Sequence, residues 1–134
     1  MAGYSGTPLV RKLGIGPGMA CHVKGAPDDY ANLVAPLPEG ATLSARLGAT
    51  TDFVHLFTAR RAELQKTLAT CRARLRPDSV VWVSWPKKSA RLPTEVTEDT
   101  IREVALPLGF VDVKVCAVTD VWSGLKLVVR RELR

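Results

Sequence analysis

The chain has 134 residues, 46% apolar and 24% charged, proportions of one globular domain that exclude a disordered or fibrous chain. Nineteen Lys and Arg outweigh thirteen Asp and Glu for a net charge of +6, and no apolar run approaches the ~18 residues that cross a bilayer. The N-terminal stretch lacks the continuous apolar core of a secretion signal, and Cys21, Cys71 and Cys116 form neither a disulfide framework nor a C-x-x-C zinc pair. A reduced, cytoplasmic setting is the expectation.

Residues 1–18 read as a glycine-rich arm with one short helix, and 19–134 as a single α/β domain. The arm holds five glycines and two prolines around Pro8–Leu13; Thr7 as N-cap, Pro8 at the first helical position and Gly14 as the stop predict one or two turns there. Met19–Val23 reads as a first strand after the Gly16-Pro17-Gly18 turn. Asp28–Val34 is a short helix candidate between Pro27 and Pro36. Thr42–Leu47 is a weak strand candidate, either a short edge piece or no strand. Phe53–Phe57 is a continuous apolar run suited to a sheet covered on both faces.

From Arg60 to Leu75, Leu64, Leu68, Cys71 and Leu75 recur at helical spacing, with basic and polar residues between them. Ser79–Trp85 is the strongest strand, stopped by Pro86. Thr97 followed by Glu98 and Asp99 predicts a helix start; Ile101, Val104, Ala105 and Leu108 form its stripe and Gly109 its stop. Val111–Val121 alternates as a long strand. Ser123-Gly124 reads as turn chemistry leading to a returning strand, Leu125–Val129. Strand, helix, strand, helix, strand between Phe53 and Val115 predicts a three-layer α/β domain. Its sheet, of five or six strands, is mostly parallel and ends in an antiparallel hairpin.

A parallel α/β half ending in a long hairpin resembles the class I, Rossmann-like methyltransferases. Gly16-Pro17-Gly18-Met19 leading through a strand to Lys24-Gly25-Ala26-Pro27 sits where that family has its glycine-rich cofactor loop, and Leu75–Val83 resembles the turn and strand after its fourth helix. Gly3–Leu9 (GYSGTPL), His55–Phe57 (HLF), Val81–Lys88 (VWVSWPKK), Val96–Asp99, Val111–Val118 (VDVKVCAV) and Trp122–Lys126 (WSGLK) together resemble a small bacterial family of domains of unknown function, numbered 3052, over nearly the full length. That second resemblance implies a fold and almost no function. The first implies S-adenosylmethionine, held by an acid before the glycines and a carboxylate after the second strand. Here Lys24 stands at the first place and Gly48 follows Leu47 at the second, so no cofactor is expected.

Lys87 and Lys88 follow the strongest strand at the sheet edge where α/β proteins bind ligands. With Arg60, Arg61 and Arg91 they could line an anion pocket, Arg60 and Arg61 also opening a helix whose N–H groups favour anions; a solvated basic rim is the plainer account. Lys24 belongs to the loop that would cradle a ligand, and Trp122 and Ser123 sit over the same edge or, more simply, pack as a lid on the core. His55 and His22 read as core histidines, Asp28 and Asp29 as caps, and Cys71 and Cys116 as packing residues. No metal-ligand spacing, phosphate loop or nucleophile elbow is present.

These features favour a non-catalytic module that binds a small anionic ligand or a protein, a second copy of the chain being one candidate partner. The runner-up is an enzyme with an unorthodox S-adenosylmethionine or nucleotide site on Lys87, Lys88 and the Lys24–Asp28 loop. Third is a weak, non-specific nucleic-acid binder: Arg72, Arg74 and Arg76 cluster near a helix C-terminus, but eight aromatics, mostly inside strands, give no stacking platform.

Overall fold

The computed structural model describes residues 7–134; Gly3 to Gly6 of the expected arm lie outside the described residues. Six strands form one sheet in the order β2-β1-β3-β4-β6-β5: β1 Ala20–Lys24, β2 Thr42–Ser44, β3 Phe53–Phe57, β4 Val80–Pro86, β5 Phe110–Ala117 and β6 Trp122–Val129. The first four are parallel, and β6 is antiparallel to both β4 and β5. The α/β class and the C-terminal antiparallel pair therefore stand as expected.

Helices α1 (Leu9–Leu13) and α2 (Tyr30–Leu33) cover one face, and α3 (Arg61–Arg74) and α4 (Glu98–Leu108) cover the other. Strand alternation sorts the core into these two layers. Val54, Leu56, Val81, Val83, Trp85, Leu125 and Leu127 meet α3 and α4, while Cys21, Phe53, Phe57 and Trp82 meet α1 and α2. All five β3 residues are buried, as its unbroken apolar run requires. Trp82 reaches α1, donating its indole N–H to the Leu13 carbonyl at 2.9 Å and satisfying a helix-end acceptor that would otherwise be buried unpaired.

The helix ends follow their chemistry. Thr97 and Thr100 form a reciprocal capping box on α4, and Gly109 closes it at φ 104°. In α1, Gly14 takes the left-handed closing conformation, but the cap residue is Pro8 rather than Thr7. Helix α2 has only four residues, and Asp29 at its cap makes no side-chain capping bond.

The hairpin expectation is corrected. Ser123 and Gly124 are not a turn: they lie inside β6, opposite Trp85 and Ser84 of β4. The turn falls at 118–121, where Thr119 Oγ1 accepts the N–H groups of Val121 and Trp122, both at 3.1 Å. Gly124 is a packing glycine, since a methyl group there would lie 3.0 Å from Val118 Cγ2 and 3.1 Å from Trp82 Cε3. Accordingly the strand expected to run to Val121 ends at Ala117. Of the two readings of Thr42–Leu47, the short edge piece holds, as the three-residue edge strand β2. A strand so short can be joined to β3 by residues 45–52, because eight extended residues span about 25 Å.

The N-terminal edge of the sheet is locked by Asp52. Its Oδ2 accepts the Ala20 N–H at 2.8 Å and its backbone carbonyl accepts from Val80 at 3.1 Å, so one residue ties β1, β3 and β4 together. Arg76 pairs with both Asp52 and Asp78. No helix among the described residues is long and apolar enough to cross a membrane.

Candidate functional site

Strands β2 and β3 lie on opposite sides of β1, so the chain reverses its direction of winding between β1 and β3. In open α/β sheets the crevice beyond the C-terminal ends of such strands is the usual ligand site. Lys24 at the end of β1, Phe57 at the end of β3 and Pro86 at the end of β4 mark its position.

The residues at this edge lie close against one another. Gly25 takes φ +73°, and a methyl group there would sit 2.4 Å from the Phe57 carbonyl oxygen. The loop after β1 therefore lies directly on the end of β3, at a separation only glycine allows. Beneath it, Tyr30 of α2 packs edge-on against Phe57, with ring centroids 5.6 Å apart. Trp122 meets the same Phe57 ring edge-on at 5.2 Å.

Tyr30 also begins a buried polar chain. Its hydroxyl lies 2.8 Å from His55 Nδ1, and His55 Nε2 lies 2.8 Å from Ser84 Oγ. His55 and Ser84 are fully buried. Either tautomer lets one ring nitrogen donate and the other accept, so all three polar groups are satisfied. Burial pushes the His55 pKa down to about 3 and raises that of Tyr30; the imidazole is neutral across the physiological range. The chain is a tyrosine–histidine–serine relay in composition and is sealed from solvent in geometry.

The expected site residues make separate contacts. Lys24 Nζ reaches Thr67 Oγ1 of α3 at 3.4 Å. Arg61 turns to Glu103 of α4 at 2.9 Å, and its backbone N–H is accepted by Glu95 Oε1 at 2.9 Å, so the start of α3 already holds a carboxylate from its own chain. Trp122 and Ser123, neighbours on a strand, face opposite sides of the sheet. Lys87 donates its backbone N–H to Val121 at 2.7 Å. Its side chain, and those of Arg60, Lys88 and Arg91, have no carboxylate within 4 Å among the described residues. These four cations form an unpaired rim at the C-terminal edge, and Arg91 adopts a left-handed φ of 54° within it. Sequence reasoning overlooked Glu95 and Tyr30. Neither carries a local signal, since each acts on an element more than twenty residues away.

Lys24 closes β1, and Ala45 and Arg46 follow β2. Among the described residues no group of three or more His, Cys, Asp or Glu gathers as a metal site.

Comparison with solved structures identifies the architecture. The chain is similar to a SAM-dependent methyltransferase from Aquifex aeolicus, at TM-score 0.65 and 14% identity over 91% of this chain and 88% of the other. It is similar to the N-methyltransferase NodS from Bradyrhizobium japonicum, at TM-score 0.62 and 8% identity over 91% and 93%. The magnesium protoporphyrin IX methyltransferase from Synechocystis, solved with bound SAM, matches at TM-score 0.57 and 12% identity over 91% and 74%. At these identities the likeness is one of fold: the chain has a class I methyltransferase scaffold. No family model and no curated protein sequence matches it.

Proposed function

We propose that the chain is a non-catalytic, cytoplasmic module that binds a small anionic ligand or a protein, on a methyltransferase scaffold whose cofactor crevice it closes with its own residues. The contact of Gly25 with the Phe57 carbonyl carries this reading. With the Tyr30 and Trp122 rings packed on Phe57 beside it, this contact supports a crevice without room for a cofactor. The lysine at the end of β1 supports it, because a cation there repels the methionine ammonium that an acid would hold. We also infer membership of the small bacterial family numbered 3052, on the Val81–Lys88 and Trp122–Lys126 phrases. Binding falls to the unpaired rim of Arg60, Lys87, Lys88 and Arg91.

That rim also favours a second reading, an enzyme holding S-adenosylmethionine or a nucleotide through anion contacts. A thermal-shift titration with S-adenosylmethionine and S-adenosylhomocysteine separates the two. A ligand at 100 times its dissociation constant stabilises the native state by about 2.7 kcal/mol, roughly 10 °C for a domain of this size. The closed crevice predicts no shift with either compound at millimolar concentration. A shift of several degrees would overturn the non-catalytic reading.

A further inference from the structure

Away from the crevice, on the face covered by α1, three lysines converge from three elements. Lys114 of β5 stands directly opposite Lys126 of β6 in the ladder. Opposed side chains in an antiparallel pair lie on one face with β-carbons about 5 Å apart, where like charges destabilise. Lys126 is in turn opposite Trp82 of β4, which is bonded to α1. Lys114 Nζ donates to the Lys12 carbonyl of α1 at 3.1 Å, and Lys12 Nζ donates to the Ala117 carbonyl of β5 at 3.1 Å. No carboxylate lies within 4 Å of any of the three among the described residues.

A backbone irregularity creates this juxtaposition. The register shifts between Asp112 and Lys114, leaving Val113 as the extra residue of a bulge. Without it, alternation would set Val113 opposite Lys126 and send Lys114 to the far face with Asp112, which there binds Arg102. The bulge thus replaces an apolar cross-strand partner with a like charge, the kind of side-chain re-aiming bulges produce beside sites. The C-terminal carbonyls of α1 offset part of the repulsion. They leave Lys126 without a bond, and leave two of the three ammonium protons on each of Lys12 and Lys114 free. The carbonyl bonds also hold those two ammonium groups in place, so little order has to be gained on binding. Cys116, one turn of the alternation from Lys114, feels both Lys12 and Lys114, which pull its thiol pKa down against the larger upward effect of burial.

We propose that Lys12, Lys114 and Lys126 form a binding site for a compact polyphosphate-type anion. This site is separate from the rim at the C-terminal edge and does not depend on the closed-crevice reading. Three cations with no internal acid match a multiply charged phosphate group better than a single carboxylate.

The test is calorimetric titration of the whole chain with tripolyphosphate at low ionic strength, using wild type, Lys126→Met and, as a control on the exposed side of α3, Lys66→Met. Methionine keeps the Lys126 stem against Trp82, and among the described residues the Lys126 ammonium bonds to nothing, so the fold stays intact; Lys126→Gln provides a second variant. The expected result is a loss of affinity of about tenfold or more in both Lys126 variants, with Lys66→Met unchanged. Without anion, Lys126→Met should melt above wild type because the like-charge pair is relieved; with anion the order should reverse. Iodoacetamide alkylation of Cys116, the half-exposed thiol beside two buried ones, should slow in wild type when the anion neutralises the lysines, and should not slow in Lys126→Met. Equal loss in Lys66→Met and Lys126→Met, or no tripolyphosphate binding, would overturn the proposal. So would a single-stranded oligonucleotide binding more tightly than tripolyphosphate with a steep salt dependence, the mark of an extended nucleic-acid surface.

Discussion

Replacing Gly25 by alanine tests the closure of the crevice directly, and the structure supplies its own controls. Gly14, Gly18 and Gly25 all have positive φ, at 81°, 72° and 73°. At Gly14 and Gly18 an added methyl group meets nothing within 4 Å; at Gly25 it meets the Phe57 carbonyl oxygen at 2.4 Å. All three substitutions carry the left-handed penalty of about 1–2 kcal/mol, offset by about 0.4–1 kcal/mol through the stiffer unfolded chain. Gly14→Ala and Gly18→Ala should therefore destabilise by about 1 kcal/mol. Gly25→Ala must in addition lift the loop off β3 by most of an ångström, and overpacking of this kind costs about 1–3 kcal/mol. Its total is about 2–4 kcal/mol. In urea melts, where a small domain loses about 1–3 kcal/mol per molar, the Gly25→Ala midpoint should fall by about 1 M more than that of Gly18→Ala. The difference between variants is the measured quantity, because the shared backbone penalty cancels. If Gly25→Ala and Gly18→Ala melt together, the loop is not pressed onto the end of β3, and the crevice has room for a ligand.

Two acid transitions should be separable. Unfolded His55 takes up a proton near pH 6.5, whereas burial delays protonation in the folded protein to about pH 3. The unfolded state thus binds more protons between these values, and stability, full above pH 6.5, should fall on acidification with a slope approaching about 1.4 kcal/mol per pH unit. His55→Leu should abolish that slope, and a slope surviving in this variant would assign it elsewhere. Asp52 acts lower: the Ala20 N–H chiefly, then Arg76, hold its carboxyl below the usual range against the opposing effect of burial. Its contribution is present above the unfolded carboxylate value of about 3.9 and lost as pH falls through the lower folded value, so Asp52→Asn should flatten the acid limb there and leave the His55 window intact. Ser84→Ala leaves a buried imidazole nitrogen unpaired and should cost about 1–3 kcal/mol in chemical denaturation. Gly124→Ala, crowding Val118 and Trp82, should cost about 1–3 kcal/mol, whereas an alanine in a true turn at that position would be nearly neutral.

Where local pattern and burial agree, the fold is legible in the chain. The apolar run Phe53–Phe57 could only be a doubly covered strand, the 64-68-71 spacing only a docked helix, and Thr97 with Gly109 bracket α4 within a residue. Legibility fails where a residue answers to something distant in sequence. Ser123-Gly124 has the composition of a turn, but Gly124 is small because Trp82 and Val118 occupy the space above it. Nothing near position 124 announces an indole forty-two residues earlier. The short strand β2 is equally silent, since its three residues hold their place by pairing with β1 and not by β-branched content.

The site follows the same logic. Lys24 at the end of β1 and Ala45-Arg46 after β2 can be read in the chain. The packing around β3 cannot, because it depends on three partnerships across the sheet: Gly25 on the Phe57 carbonyl, Tyr30 on His55, and His55 on Ser84. Each residue taken alone has an ordinary local explanation as a turn glycine, a helix residue or a core polar group. Only the fold shows that Gly25 lies on the end of β3 and that His55, in the middle of that strand, joins Tyr30 to Ser84. The cations escape this ambiguity only in part. Arg60 and Arg61 are adjacent in sequence, yet Arg61 is spent on Glu103 while Arg60 stays unpaired, and Lys114 meets Lys126 only through an extra residue in β5. Charge counts set how many cations the surface carries, and backbone register decides which of them are left to bind something else.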